Sequence, residues 1–262
     1  MVMKKKFFIL TCLGLMASAF TLQSCLDDDD DACYVICPVE QPNALVTVKP
    51  IADKNNAFFM QLDDSTAIWP VNLRQSPFGN KEVRALINFR KPTEEEISKS
   101  GLEGNKEYFV FVNWIDSILT KPMVESMGSA EENLRKYGSD PLEVVDDWVT
   151  LVEDGYLTLR LRTRWGGNTK HVVNLVHRQD VNTPYYFTLY QDAKGDTRGQ
   201  MGDALVAFKL ADHVIPRQNY HEETLTLEWL SYSGTKTAQF KFRPGNARRE
   251  NTEGVGSFKG FE

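Results

Sequence analysis

Chemistry needs reactive side chains at fixed spacing, and several stretches of this chain supply the residue types. Ser233-Gly234-Thr235-Lys236 matches a Ser-x-x-Lys pattern, in which a serine opening a helix shares one face with a lysine that eases its attack. Here the tetrad lies between two strand-like runs, where Ser-Gly reads as a hairpin turn. His221-Glu222-Glu223 lacks the second histidine at i+4 that a zinc-binding helix needs. Asp192, Asp196 and Asp203 crowd a glycine-rich stretch, but their spacings of four and seven do not follow the alternating oxygen ligands of a calcium loop, and they read as turn acids. Asp146 and Asp147 are adjacent, and strand neighbours point to opposite faces, so they cannot flank one bond as a glycosidase pair does. No Gly-x-Ser-x-Gly nucleophile turn occurs. The expectation is a chain with no catalytic residue, no metal ion and no cofactor.

Binding chemistry has better candidates. Leu157, Leu159, Leu161, Thr163 and Trp165 fall on one face of a strand, and Thr158, Arg160, Arg162 and Arg164 on the other, the clearest period of two in the chain. The three guanidinium groups stand roughly 6.5–7 Å apart along that face. They read as a solvated face paired with acids across the sheet, or as a stripe that binds an anion or an acidic glycan. Trp69, Phe89 and Trp114 could line the ligand face of a small barrel, with core packing the favoured alternative.

Cysteine chemistry gathers at the N-terminus. Lys4, Lys5 and Lys6 precede an uncharged run of 14 residues from Phe7 to Phe20. As a helix that run is about 21 Å long, short of the roughly 30 Å hydrocarbon core, so it reads as a secretory signal. It leads to Leu22-Gln23-Ser24-Cys25, which resembles a bacterial lipobox, where the thiol receives a diacylglycerol and the chain is cut before it. Residues 1–24 are then the signal peptide and Cys25 the lipidation site. Several acyl chains, at about 0.8 kcal/mol per buried CH₂, make such a membrane anchor effectively permanent.

Asp27 to Asp31 form an acidic block that stays extended through self-repulsion. The block resembles the export signal that follows the lipidated cysteine in surface lipoproteins of the Bacteroidetes. The expectation is an outer-membrane, lipid-anchored, surface-exposed protein, with a periplasm-facing lipoprotein as the alternative. Outside the cytoplasm Cys33 and Cys37 suit a local disulfide if their segment turns, with free thiols the alternative. As metal ligands they supply two of the four that a structural zinc requires.

Removing residues 1–24 takes three lysines and no acid, so the formal net charge moves from −6 to −9. Phosphate backbones repel such a chain, and nucleic acid is not expected as a partner. With 42% hydrophobic and 25% charged residues the composition is that of a globular protein, and 262 residues allow one or two domains.

The candidate residues must be positioned by strands. Residues 25–43 read as the lipidated cysteine and an acidic tether. Strand-like runs at 44–51, 57–62, 68–73, 83–89 and 108–118 suit a five-stranded OB-like barrel over residues 44–122. Between the last two, Thr93–Leu102 offers a helical turn capped by Thr93 with Glu96 at the box position, or a surface loop. Glu131–Tyr137 has helical propensity and ends at Gly138-Ser139-Asp140-Pro141. Seven further runs, beginning with a single strand Val144–Leu151, suit an Ig-like antiparallel β-sandwich over 123–243, with Trp165 and Trp229 as core anchors. Residues 244–262 read as a flexible tail.

Longer phrases carry a resemblance. DPLEVVDDWVTLVEDGYLTLRLRTRWGG (140–167), HVVNLV (171–176), GDTRGQMGDALVAF (195–208) and TAQFKF (237–242) resemble the NigD-like lipoproteins of the Bacteroidales. VTVKP (46–50), FMQLDDSTAIWPVN (59–72) and EVRALINF (82–89) fit the same family. The resemblance implies an OB-like domain and a β-sandwich behind a lipoprotein signal. It also implies an immunity or accessory role in a bacteriocin gene cluster. The lipobox, the acidic tract and the lack of an assembled nucleophile, base and metal set lead to the expectation of a non-enzymatic surface lipoprotein that works through contact with an unidentified protein or glycan partner. A carbohydrate-binding accessory of a surface glycan-uptake system is the second expectation, and a hydrolase the third.

Overall fold

The first module closes because its strands turn a set of apolar residues inward. In the computed structural model, which describes residues 41–244 except 53–55, 168, 180–182, 213 and 215–220, it contains five strands. These are β1 (Ala44–Pro50), β2 (Phe58–Gln61), β3 (Ala67–Pro70), β4 (Val83–Arg90) and β5 (Phe109–Ser117), ordered β1-β2-β3-β5-β4 in a closed barrel. Val46, Val48, Met60 and Ile87 point into it and are buried. Closure leaves no open edge. The helical reading of 93–102 holds: α1 (Glu94–Ser100) starts with a complete capping box between Thr93 and Glu96. Its Ile97 packs with Phe59 and Trp69 on the barrel's outside.

Nine strands build the second module. They are β6 (Leu119–Pro122), β7 (Glu143–Val145), β8 (Leu151–Glu153), β9 (Tyr156–Trp165), β10 (Val172–His177), β11 (Tyr186–Asp192), β12 (Gln200–Lys209), β13 (Glu223–Ser231) and β14 (Gly234–Phe242). One sheet runs β6-β12-β9-β7 with β8 also on β9, and the other β10-β11-β13-β14. Leu157, Leu159, Leu175, Phe187, Phe208 and Leu225 fill the space between them with essentially no exposure. The fold is all-β, a barrel followed by a sandwich. No helix among the described residues is long and apolar enough to cross a membrane.

Three details differ from the sequence reading. Leu119–Pro122 lies on the barrel side of the boundary expected at residue 122, yet β6 pairs with β12 of the sandwich. The last backbone–backbone bond to the barrel is Ile118 N–H to Arg84 O, 2.9 Å, and Thr120 Oγ1 still accepts from Arg84 N–H at 2.9 Å as the chain crosses to the sheet edge. The sandwich is not wholly antiparallel, because β6 runs parallel to β12 and β11 parallel to β13. Between β11 and β13 the chain passes through the opposite sheet as β12, so it re-enters in the same direction. Finally, 144–151 is two short strands rather than one. Thr150 turns the chain back with bonds to Asp147 O, 2.9 Å, and Val145 O, 2.7 Å.

The remaining helix, α2 (Ala130–Tyr137), has a capping box between Ser129 and Glu132. It lays Tyr137 against Val176 and Tyr190 on the outside of the second sheet. Gly138 ends it at φ +98°, and a Cβ there would lie 2.3 Å from Gln191 O, so only glycine fits. Leu159, fully buried between the sheets, is the plain test of this core. Leu159→Ala is expected to lower the unfolding free energy by about 2–5 kcal/mol in urea titration, through lost burial and the cavity left behind.

Candidate functional site

Two places gather polar side chains, and the first is the seam between the modules. The outward residues of β1 and β4 would face water on an isolated barrel. Here Leu45 and Leu86 are buried with Ile118, Val149, Tyr156 and Ala207. Asp154-Gly155 makes the two-residue turn joining β8 to β9, with φ of +50° and +79°. Both are positive, as a type I′ turn requires. The turn brings Glu153, Asp154 and Tyr156 against the barrel.

Lys49 Nζ donates to Asp154 Oδ1 at 2.6 Å, with both side chains more than nine-tenths buried. Arg84, with no exposed surface, donates to Thr47 Oγ1 at 3.0 Å and Glu153 Oε2 at 3.2 Å. Asp154 N–H donates to Asp64 Oδ1 at 2.7 Å. Tyr156 O–H and Lys209 Nζ both donate to Glu82 Oε1, at 2.6 and 2.9 Å. Among the described residues, Arg84 Nε and Asp154 Oδ2 are buried with no hydrogen-bond partner.

Burial shapes the proton affinities there. It pushes Glu153 up to about 7, outweighing the attraction of Arg84, and the charges of Asp64 and Asp63 add to the rise. Burial raises Asp64 too, against the Asp154 amide bond. The Tyr156 phenol rises through burial and its bond to Glu82. Glu82 moves down despite its burial, because Tyr156 and Lys209 donate to it.

The second place is the outer face of the first sandwich sheet beyond the barrel. Arg160, Arg162 and Arg164 line β9 there, and β12 sets Asp203 directly opposite Arg162. Asp203 accepts from Arg160 Nε at 2.8 Å and from both Nε and Nη2 of Arg162. Arg162 and Arg160 hold its carboxyl below the usual range although burial works against them. The turn at 146–150 delivers Asp147 to Arg160 Nη1. Arg164 Nη1 donates to Gly199 O at 3.1 Å. Arg160 and Arg162 are thus paired with acids, whereas Arg164 is bonded to a backbone carbonyl.

The other sequence candidates are spread apart. Ser233 sits in the β13–β14 turn, and Lys236 reaches Glu143 Oε2 at 2.9 Å, so no serine–lysine pair forms. Asp192 is held by Lys194 and Asp196 by Gly166 N–H, so the three loop acids have three different sets of partners. Among the described residues no group of three or more His, Cys, Asp or Glu could hold a metal ion. Glu222 pairs with Lys241 at 2.8 Å. Trp69 is buried against Phe59 beside α1, Phe89 packs on the barrel interior and Trp114 on the seam. Trp229 is a core anchor, whereas Trp165 is only half-buried at the rim, with Nε1 donating to Thr169 O at 3.1 Å. Cys25, Cys33 and Cys37 lie outside the described residues.

Sequence reasoning passed over Lys49, Arg84 and Glu153. The signal was there: Lys49 and Arg84 each stand inside an apolar strand run, next to residues that alternate into a core. Asp203 reads as a turn acid from its spacing, and only the register of β12 on β9 sets it opposite Arg162.

Two family models match the chain. A NigD-like N-terminal OB domain covers residues 45–118, and a NigD-like C-terminal beta sandwich domain covers 125–242. Among similar solved structures is a protein from Parabacteroides distasonis ATCC 8503 whose name relates it to a toxin. It is 27% identical with a TM-score of 0.61, over 80% of this chain and 97% of that one. A protein of unknown function from Bacteroides vulgatus ATCC 8482 is 18% identical with a TM-score of 0.58, over 83% and 95%. A NigD-like immunity protein from Bacteroides caccae ATCC 43185 is 20% identical with a TM-score of 0.49, over 79% and 98%. No curated protein matches.

The seam predicts a pH response. A carboxyl raised from 4.5 to about 7 on folding keeps its proton longer in the folded chain. Its contribution to stability is therefore full below about 4.5 and lost as pH rises through about 7. Chemical denaturation from pH 5 to 8 should show stability falling, and Glu153→Gln should flatten that slope. An unchanged slope in the variant would remove Glu153 as its cause.

Proposed function

We propose, starting from the fact that the chain belongs to the NigD-like family, that it is a lipid-anchored envelope protein that works by binding. Cys25 carries the acyl chains, the signal of residues 1–24 is removed, and the protein stands on the cell surface. Its role is immunity to, or assistance of, a bacteriocin-type toxin, carried out through contact rather than catalysis.

The observation that carries the non-enzymatic reading is the state of the acids on the exposed sheet face. Asp203 is shared by two guanidinium groups, Asp147 is held by Arg160, and Glu143 is held by Lys236 and Ser231. The carboxyls of Asp203 and Glu143 are held below the usual range by these donors although burial works against them, which suits recognition better than proton transfer. The toxin-related name of the 27% identical neighbour supports the immunity side of the proposal.

One observation favours a second reading, the carbohydrate-binding accessory. Trp148, 51% exposed, follows Asp147 at one end of the arginine row, and Tyr232 stands exposed at the other end, where its hydroxyl accepts from Arg164 N–H at 3.0 Å. Exposed rings beside fixed hydrogen-bonding groups are what sugar stacking uses. A glycan array that reads signal for the parent chain and loses it in Trp148→Ala would favour this reading over the toxin.

The anchor is tested in the native host. Cys25→Ser should abolish palmitate labelling and move the chain out of the envelope fraction, and proteinase added to whole cells should digest the parent. Survival is then compared for cells with and without the chain, challenged with medium from toxin-producing Bacteroidales. Equal survival across a panel of such toxins sinks the immunity role while leaving the anchor standing.

A further inference from the structure

The barrel has no edge, and among the described residues four of the five outer strands of the sandwich are short or covered, three-residue β8 being one of them. β7 spans three residues and β6 four. Beside β10, Val124 bridges Val176 and its N–H donates to Leu175 O at 2.9 Å. β14 is different: nine residues long and, among the described residues, paired on one side only.

Which of its backbone groups are free follows from β13. Thr226 N–H donates to Tyr185 O and Leu230 O accepts from Leu142 N–H, both away from β14. The residues of β13 bonded to β14 are therefore the alternate ones, from Leu225 to Ser231. On β14 itself Thr235, Thr237, Gln239 and Lys241 are left with N–H and C=O pointing outward, and all four are exposed. Natural edges are blunted by bulges, prolines or projecting lysines. β14 keeps nine register pairs without a bulge or a proline. Its lysines are turned aside, Lys236 to Glu143 and Lys241 to Glu222.

We propose that this edge pairs antiparallel with the same edge of a second copy of the chain, about a two-fold axis at Ala238, joining two four-stranded sheets into one. That axis sets Thr237 opposite Gln239 and Thr235 opposite Lys241, so the whole of Gly234–Phe242 overlaps and every outward group is bonded. Moving the axis to Thr237 or Gln239 leaves strand ends unpaired, and moving it to Lys236 sets like charges face to face. With the axis at Ala238, Lys236 lies opposite Phe240, Lys241 opposite Thr235, and only an alanine methyl meets its own copy. This self-complementary register is what favours a second copy over a foreign strand.

Ala238 opposite Ala238 is a non-hydrogen-bonded pair with Cα atoms about 4.5 Å apart, inside the range a disulfide spans. The full chain carrying Ala238→Cys, oxidised mildly in its own envelopes, should give a disulfide-linked dimer of the chain above the parent's background. Thr224→Cys, exposed on β13 of the same sheet, should not. Adding Thr237→Pro removes one outward N–H and spares the bonds to β13, and should abolish the dimer. Light scattering of the unsubstituted detergent-solubilised chain gives an independent reading, with twice the chain mass expected. A monomer at every accessible concentration overturns the proposal. So does equal cross-linking at position 224, or cross-linking of Ala238→Cys to a different protein.

Discussion

Arg84 has no surface in contact with water, and its carboxylate partner belongs to the other module. Taking a guanidinium out of water costs several kcal/mol unless opposite charge and hydrogen bonds replace the lost hydration. The barrel cannot provide them alone: Thr47 takes one nitrogen, and the rest of the compensation comes from Glu153 at the tip of the β8–β9 hairpin. Lys49 depends on Asp154 in the same way. Each module therefore completes the other. The apolar patch around Leu45, Leu86 and Tyr156 supplies attraction without direction, and the buried charges supply direction. Removing Glu153 would leave the Arg84 guanidinium charged and buried without its acid.

The sandwich uses the same kind of pairing where it faces water, with a different result. Arg160 and Arg162 share Asp203, and Arg160 also takes Asp147, so a face that is basic on paper is close to neutral. The forks of these guanidinium groups are largely spent on acids of the chain itself, and what projects beyond them is aromatic, Trp148 and Tyr232. A surface of fixed charges and exposed rings suits selective contact with another molecule, the behaviour proposed for this family member.

Much of the architecture was legible because strand signals are local. The inward leucines of β9 are the ones period two selects. Thr93 and Glu96 mark α1 because a capping box spans only three residues. What failed also failed for local reasons. β6 is four residues ending in proline, too short to show a period. In 143–153 the valines on both sides of Asp146-Asp147-Trp148 imitate one continuous strand, which backbone and side-chain bonds of Asp147 and Thr150 break.

The sequence by itself determined the class, two β modules with their turns and caps, since those depend on neighbours a few residues apart. Asp-Gly at 154–155 is a turn signal in a strand-rich chain, but nothing local says what that turn touches. Lys49 and Asp154 are 105 residues apart, Arg84 and Glu153 69 apart, and Arg162 and Asp203 41 apart. No spacing rule links such pairs, because the distance between them is set by how the sheets close and dock. Tertiary structure alone decided which charges would be buried, which would be neutralised, and which edge would remain unpaired.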